Sequence, residues 1–135
     1  MDNLDKKTRS LNMSAIRSKG TKPEMSVRSI LRDLKIRCRY NVNKLPGKPD
    51  ILVTSTKLAI FINGCFWHQH KNCKYASIPK SNNSFWKNKL KKNQNRDSLV
   101  RRQLNKLGYR TMTIWECQLT SRNKVKLEMK VVRAI

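Results

Sequence analysis

Both histidines of the chain and two of its four cysteines lie between Cys65 and Cys73. The spacing is Cys65-x4-His70-x2-Cys73, three soft or borderline metal ligands in nine residues. Cys117, at the end of an apolar stretch, offers a fourth. Three thiolates and one imidazole suit tetrahedral zinc, with bonds of about 2.0–2.3 Å. A closed four-ligand site leaves no position for water, so its expected role is structural: to pin a loop too polar and too long to hold itself by packing. The alternative is ordinary thiols, with Cys38 as an equal candidate. Cys38 sits in an alternating stretch, however, and reads as a small core residue. His68 stands two residues before His70. If His70 takes a metal, His68 is free to face another site, where an imidazole that titrates near neutrality suits a general base. As a lone histidine it suits contact with a polyanion equally well.

Acids are scarce enough that each invites a question. There are 8 Asp and Glu against 31 Lys and Arg, a formal net charge of +23. Such a balance repels itself unless a polyanion is at hand, and nucleic acid, with closely spaced phosphates, is the leading partner. The basic residues are spread along the whole chain and not gathered on one amphipathic helix, which argues against a membrane surface. No apolar run reaches bilayer-spanning length. The N-terminus MDNLDKKTRS lacks the apolar centre of a signal peptide, so a reducing cytosol is expected and disulfides are not. A protein that merely coats phosphate is the bland alternative. Among the acids, Asp50 stands out. Gly47-Lys48-Pro49-Asp50 places a carboxylate at the start of a strand, where Mg²⁺ could bridge it to a phosphate. The next strand ends Phe61-Ile62-Asn63 and brings no second acid, so the backbone carbonyl of Ile62 and phosphate oxygens would complete the metal's ligands. Alone, Pro-Asp is a common strand-start turn.

The elements that must position these groups can be read from periodicity. At 135 residues one domain is expected. Residues 1–20 read either as an arm that contacts DNA, with Met13 and Ile16 at helical spacing, or as a frayed terminus, and residues 21–135 as a single domain. Thr21-Lys22-Pro23-Glu24 has the form of a helix start, with Val27, Ile30, Leu31 and Leu34 following at helical spacing. Glu24 either caps this helix or reaches a site at its N-terminal end. Ile36, Cys38, Tyr40 and Val42 alternate with polar residues, the pattern of a half-buried strand. Strands at 50–53 and 58–62, joined by a short turn, are expected to be antiparallel. A long helix over 84–107 carries the stripe Trp86, Leu90, Asn93, Asp97, Val100, Leu104, Leu107. Asn93 and Asp97 interrupt that apolar face. A buried carboxylate is unfavourable unless paired, so Asp97 is expected to touch a histidine, a basic residue or water near the site. Gly108 stops the helix, a strand over 109–115 delivers Glu116 and Cys117, and the tail from Ser121 has weak helical periodicity. The order helix, strand, strand, strand, helix, strand implies an α/β fold in two or three layers around a mixed sheet. Phe66, Trp67 and Trp86 lie among basic residues and could stack on bases or wedge between them. Core packing is the commoner role for any one ring, but two adjacent rings in a tight loop do not readily both serve as core.

Taken jointly, DKKTRSLNMSAI, LPGKPDILV, FINGCFWHQH, SFW, NRD, LGYRT and IWEC make the chain, over about residues 5–118, similar to the very-short-patch repair (Vsr) endonucleases of bacteria. The resemblance implies a restriction-endonuclease-like core with a structural zinc. It also implies Mg²⁺-dependent nicking of DNA 5′ of the thymine in a T·G mismatch left by deamination of 5-methylcytosine. Position by position it implies Asp50 as the metal-binding catalytic carboxylate, His68 as general base, and Glu24 and Asp97 as acids around the site. Cys65, His70, Cys73 and Cys117 match the zinc ligands. Phe66, Trp67 and Trp86 match aromatics that enter the DNA, and Met13 and Ile16 match arm residues. The family often has Thr-His where this chain has Ile62-Asn63; Asn63 cannot take a proton, though it can hydrogen-bond phosphate or water. The interval between His70 and Cys73 is one residue longer than usual. The resemblance further implies a monomer in the bacterial cytoplasm, at the nucleoid, with mismatch-repair proteins as further partners. Two other readings compete: a zinc-stabilised DNA-binding protein without catalysis, and a related nuclease with another DNA target.

Overall fold

A run of three helical-spaced aliphatics fixes the first element of the computed structural model, which describes residues 22–135. Helix α1, Lys22–Asp33, buries Val27, Ile30 and Leu31; the expected Thr21 cap lies outside the described residues. The helix ends in a Schellman turn. Lys35 takes a left-handed conformation (φ 59°), Ile36 N–H donates to Leu31 O at 2.9 Å, and Lys35 N–H donates to Arg32 O at 3.0 Å. This corrects the expectation for Ile36: it closes the helix and packs on the core, and strand β1 is only Cys38–Tyr40. Asn41 (φ 52°) ends β1 at once. Tyr40 is exposed, with the Arg28 guanidinium 4.0 Å above its ring. Of the residues expected to alternate inward, Cys38 packs on the α1 side of the core, Val42 packs on the other cluster, and only Tyr40 is exposed.

Strand β2, Ile51–Val53, is wholly buried and pairs antiparallel with β1 and with β3, Leu58–Asn63. Strand β4, Arg110–Trp115, pairs with β3 in parallel. A parallel neighbour needs a crossover, and helix α2, Asn83–Lys106, provides it. The result is a mixed four-stranded sheet in the order β1-β2-β3-β4. Alternation in the strands then sorts the side chains between two faces. Ile51, Val53, Leu58, Ile60, Met112 and Ile114 pack with α1 and with helix α3, Lys124–Ala134. Leu52, Ala59 and Phe61 face Val100 and Leu104 of α2. By the same parity Asp50 and Asn63 fall on the α2 side.

Helix α2 closes with a second Schellman turn at Gly108 (φ 91°), where Tyr109 N–H donates to Leu104 O at 2.9 Å. Leu107, expected on the buried stripe, is 55% exposed because it caps the helix and points off its end. Helix α3 buries Leu127 and Val131, while Val125, Met129 and Val132 stay exposed. Among the described residues, no helix is long and apolar enough to cross a membrane.

Candidate active site and metal centre

The chain leaves β3 at Asn63-Gly64, at the C-terminal end of the parallel pair β3/β4, the end at which α/β sheets commonly hold ligands. A cleft of roughly 460 Å³ opens there, lined by Lys48, Asp50, Ile62, Asn63, His68 and Asp97, among others. Asp50 enters from the turn before β2. Two ladder-like bonds hold that turn: Asn41 N–H to Asp50 O at 2.9 Å and Val42 N–H to Pro49 O at 3.1 Å. Asp50 Oδ2 accepts the Ile62 N–H at 2.7 Å. Within a strand, a residue's N–H and C=O leave by the same edge, so the Ile62 carbonyl also emerges on the Asp50 side. Burial pushes the Asp50 carboxyl above the ordinary carboxylate range; the Ile62 N–H opposes this, the charge of Glu24 adds to it, and His68 opposes it. Asp50 is therefore an under-compensated, half-buried carboxylate, the kind of group a bound cation would suit. Glu24 is 2% exposed and accepts from Arg28 Nη2 at 2.9 Å. It does reach this end of the molecule, in addition to lying in the first turn of α1.

His68 Nδ1 lies 2.7 Å from Asp97 Oδ2, with both side chains half-buried. The segment from Gly64 turns helically, with His68 N–H to Gly64 O at 3.1 Å and His70 N–H to Cys65 O at 2.9 Å. That winding sends His68 toward α2. The polar interruptions of the α2 stripe are thereby explained: Asp97 meets His68, and Asn93 donates to the Trp67 carbonyl at 3.0 Å, tying helix to loop. Asn63 is almost fully buried and lines the cleft. The sequence reading passed over Lys48, Arg96 and Arg101 in the same cleft. A helical signal for the last two was present, since Arg96 stands at +3 from Asn93 and Arg101 at +4 from Asp97.

Cys65, His70, Cys73 and Cys117 form a second cluster, with ligand atoms all within 4.8 Å of one another. Zinc bonds of about 2.0–2.3 Å imply tetrahedral edges of roughly 3.3–3.8 Å, so small adjustments would close the group on an ion. Cys117 Sγ is 3.4 Å from His70 Nδ1. Burial lowers the pKa of His70, with Lys130 adding to it, which favours the neutral, ligating imidazole. The His70 ring is stacked on Trp115 at 4.2 Å between centroids. Cys65 is buried, and that burial pushes its thiol up to about 12. Such a thiol loses its proton to solvent near neutrality only when a cation takes its place on sulfur. Cys38 is not part of this cluster. Phe66, Trp67 and Trp86 pack against one another with centroids 5.2–6.0 Å apart, all half-buried. Phe85, which sequence reading did not single out, is 59% exposed beside Trp86. Met13 and Ile16 lie outside the described residues.

The family model described as DNA mismatch endonuclease Vsr matches residues 1–75. The chain belongs to the Vsr family of DNA mismatch endonucleases. Similarity to individual Vsr-type proteins extends further along the chain. The DNA mismatch endonuclease Vsr of Escherichia coli (strain K12) is 39% identical over 121 residues, 90% of this chain and 77% of the relative. The type II nicking enzyme V.XorIIP of Xanthomonas oryzae pv. oryzae is 36% identical over 129 residues, covering 96% and 94% of the two chains. V.NmeAIP of Neisseria meningitidis, also a type II nicking enzyme, is 43% identical over 114 residues, covering 84% and 81%. This Vsr chain is an endodeoxyribonuclease, and the family model's span takes in Asp50, Asn63, Cys65, His68, His70 and Cys73.

Proposed function

We propose that this enzyme nicks one DNA strand 5′ of the thymine in a T·G mismatch, with Mg²⁺ at Asp50 and structural zinc at the Cys3His cluster. The observation that carries the reading is the convergence, in one cleft, of a half-buried carboxylate tied to Ile62 and a paired His68–Asp97. Asp50 and the Ile62 carbonyl would hold the divalent ion, which supplies polarisation of the scissile phosphate and stabilisation of the leaving 3′ oxygen. The Nδ1–H of His68 is donated to Asp97, which leaves Nε2 as the basic nitrogen. Nε2 takes one proton from water. The water oxygen bonds to phosphorus, and the bond from phosphorus to the 3′ oxygen breaks. Asp97 fixes the ring's tautomer and direction. Asn63 hydrogen-bonds phosphate or water, and Glu24 holds its charge behind Asp50.

Phe66, Trp67 and Trp86 act as a wedge at a base step that a mismatch has already weakened. The deformation then falls more heavily on correct pairs than on T·G. The fold belongs with the restriction-endonuclease-like cores, residues 21–135 forming the nuclease domain and residues 1–20 a DNA-contacting arm with Met13 and Ile16. The enzyme works as a monomer in the bacterial cytoplasm, at the nucleoid, beside other mismatch-repair proteins.

The test is a labelled duplex with one T·G mismatch, run with Mg²⁺ or EDTA beside a T·A duplex and the Asp50→Ala protein. A Mg²⁺-dependent cut 5′ of the mismatched thymine, lost in the variant with binding retained, is the expected result. Cutting of both duplexes would discard mismatch preference, and binding without a cut would leave a DNA-binding protein.

A further inference from the structure

A phosphodiester entering this cleft meets Asp50 and Asp97, with buried Glu24 close behind Asp50. Three carboxylates oppose a phosphate that gains negative charge as water attacks. One divalent ion offsets only part of that. The compensating cations in the same cleft are Lys48, Arg96 and Arg101, and of these Lys48 is held differently. Arg96 and Arg101 ride on a regular helix, and Arg101 Nη2 donates to Ser98 Oγ at 3.2 Å. Lys48 sits two residues before Asp50 with φ 48°, directly after Gly47 with φ 72°. Other described residues, Lys35 and Asn41 among them, also take a left-handed backbone; at Lys48 it matters because it fixes the direction in which the chain enters Asp50. The Lys48 N–H to Leu45 O bond at 3.1 Å and the close packing of Gly47 on Val100 impose it here. The Lys48 ammonium also forms no ion pair with any carboxylate among the described residues, Asp50 included. It is exposed and lines the cleft, so the turn presents a free cation beside the catalytic carboxylate, while β3 contributes no charged residue there.

We propose that Lys48 is a catalytic residue whose ammonium contacts a non-bridging oxygen of the scissile phosphate and stabilises the charge that builds there. The inference rests on the nuclease reading above. A point charge at this place acts mainly in the transition state, where the phosphate is most negative. Removing it should therefore slow cutting far more than it weakens binding.

The experiment measures single-turnover nicking and equilibrium binding on the T·G duplex with Mg²⁺, for wild type, Lys48→Ala, Lys48→Arg and Lys48→Gly. Each protein is also given a single phosphorothioate of each configuration at the scissile position. Lys48→Ala is expected to nick about 10²-fold more slowly, as loss of one oxyanion donor does, with less than a threefold change in Kd. Lys48→Arg should recover most of the rate. One phosphorothioate diastereomer should slow wild type and no longer slow Lys48→Ala further. Lys48→Gly, which relieves the left-handed backbone, should melt no lower than wild type yet be as slow as Lys48→Ala, which separates lost chemistry from lost folding. If wild type nicks and Lys48→Ala nicks at the same rate, the Lys48 assignment is overturned and the nuclease reading stands. An equal loss in binding and rate would make Lys48 an ordinary backbone contact and overturn it too. If wild type itself leaves the duplex intact, the nuclease reading fails first.

Discussion

Replacing Gly47 with alanine should disturb the catalytic turn through one atom. A Cβ at this position falls far inside van der Waals distance of Val100 Cγ1 and lies 3.1 Å from Val100 Cγ2 and 3.3 Å from Phe61 Cε1. Valine cannot swing its methyls away, because it branches at Cβ. Ordinary carbon–carbon contact is about 3.5–4.0 Å, so the turn and α2 must part by roughly 1 Å. Overpacking of this kind costs about 1–3 kcal/mol. The left-handed backbone (φ 72°) adds roughly 1–2 kcal/mol once a side chain is present. The sum, about 2–5 kcal/mol, is a large part of the roughly 5–15 kcal/mol that holds a domain folded. At about 3–4 °C per kcal/mol for a chain of this size, melting should fall by roughly 6–20 °C. Calorimetry or a thermal melt reads this directly. Val100→Ala in the same chain should recover the steric part and leave the backbone part, a coupling of about 1–3 kcal/mol in a double-mutant cycle. Nicking by the folded fraction should also drop, by up to about 10²-fold, since Asp50 moves with the turn while Asp97 moves with the helix. A Gly47→Ala protein that melts with wild type would refute the packing argument, as would a double variant whose losses simply add.

Asp50 carries a stability prediction of its own. Its carboxyl is raised in the folded protein, so at neutral pH the ionised form is less at home folded than unfolded. Asp50→Asn should therefore melt above wild type at pH 7 in Mg²⁺-free buffer that leaves the zinc in place. That advantage should shrink as pH falls through the raised folded value and vanish below the ordinary 3.8; a gain that grows on acidification has the wrong sign. For the Cys3His cluster, metal analysis should find one zinc per chain, lost in Cys73→Ala together with folding. Binding energies of about 10–16 kcal/mol match or exceed a domain's whole stability of roughly 5–15 kcal/mol. Cys38→Ser should leave metal content unchanged, and a fully stable, metal-free Cys73→Ala would sink the structural role.

Much of this arrangement was legible because a few residue types were rare. Two histidines and four cysteines in 135 residues make any cluster of them conspicuous, and Asp97 showed itself by breaking an apolar stripe. The cations of the cleft were hidden for the opposite reason: among 31 basic residues, nothing in the sequence separates Lys48 from the others. Its left-handed backbone is a property of the folded turn, fixed by Val100, more than fifty residues away. Ile36 and Leu107 misled because an apolar residue just beyond a helix end serves the cap as readily as it serves a strand or a stripe. The C-terminal helix gave a weak signal because Val125, Met129 and Val132 lie on the face opposite Leu127 and Val131 and blur the period. The side to which Asn63 turns follows from alternation along β3, but which helix covers that side emerged only in the folded sheet.

Helix α2 bears Trp86 in its first turn and Asp97 eleven residues later, with no break between them. At 1.5 Å per residue the two stand about 16 Å apart on one rod. Such a rod is a lever. If Trp86 is gripped and the helix tilts by roughly 5° about that end, Asp97 is carried about 1.4 Å, and His68 with it. A displacement of that size is enough to make or spoil a proton transfer, for which about 1 Å can mean 10²-fold. On the proposed reading, the end that would meet the nucleic acid and the end that would orient the base are mechanically one part, and retuning one would retune the other.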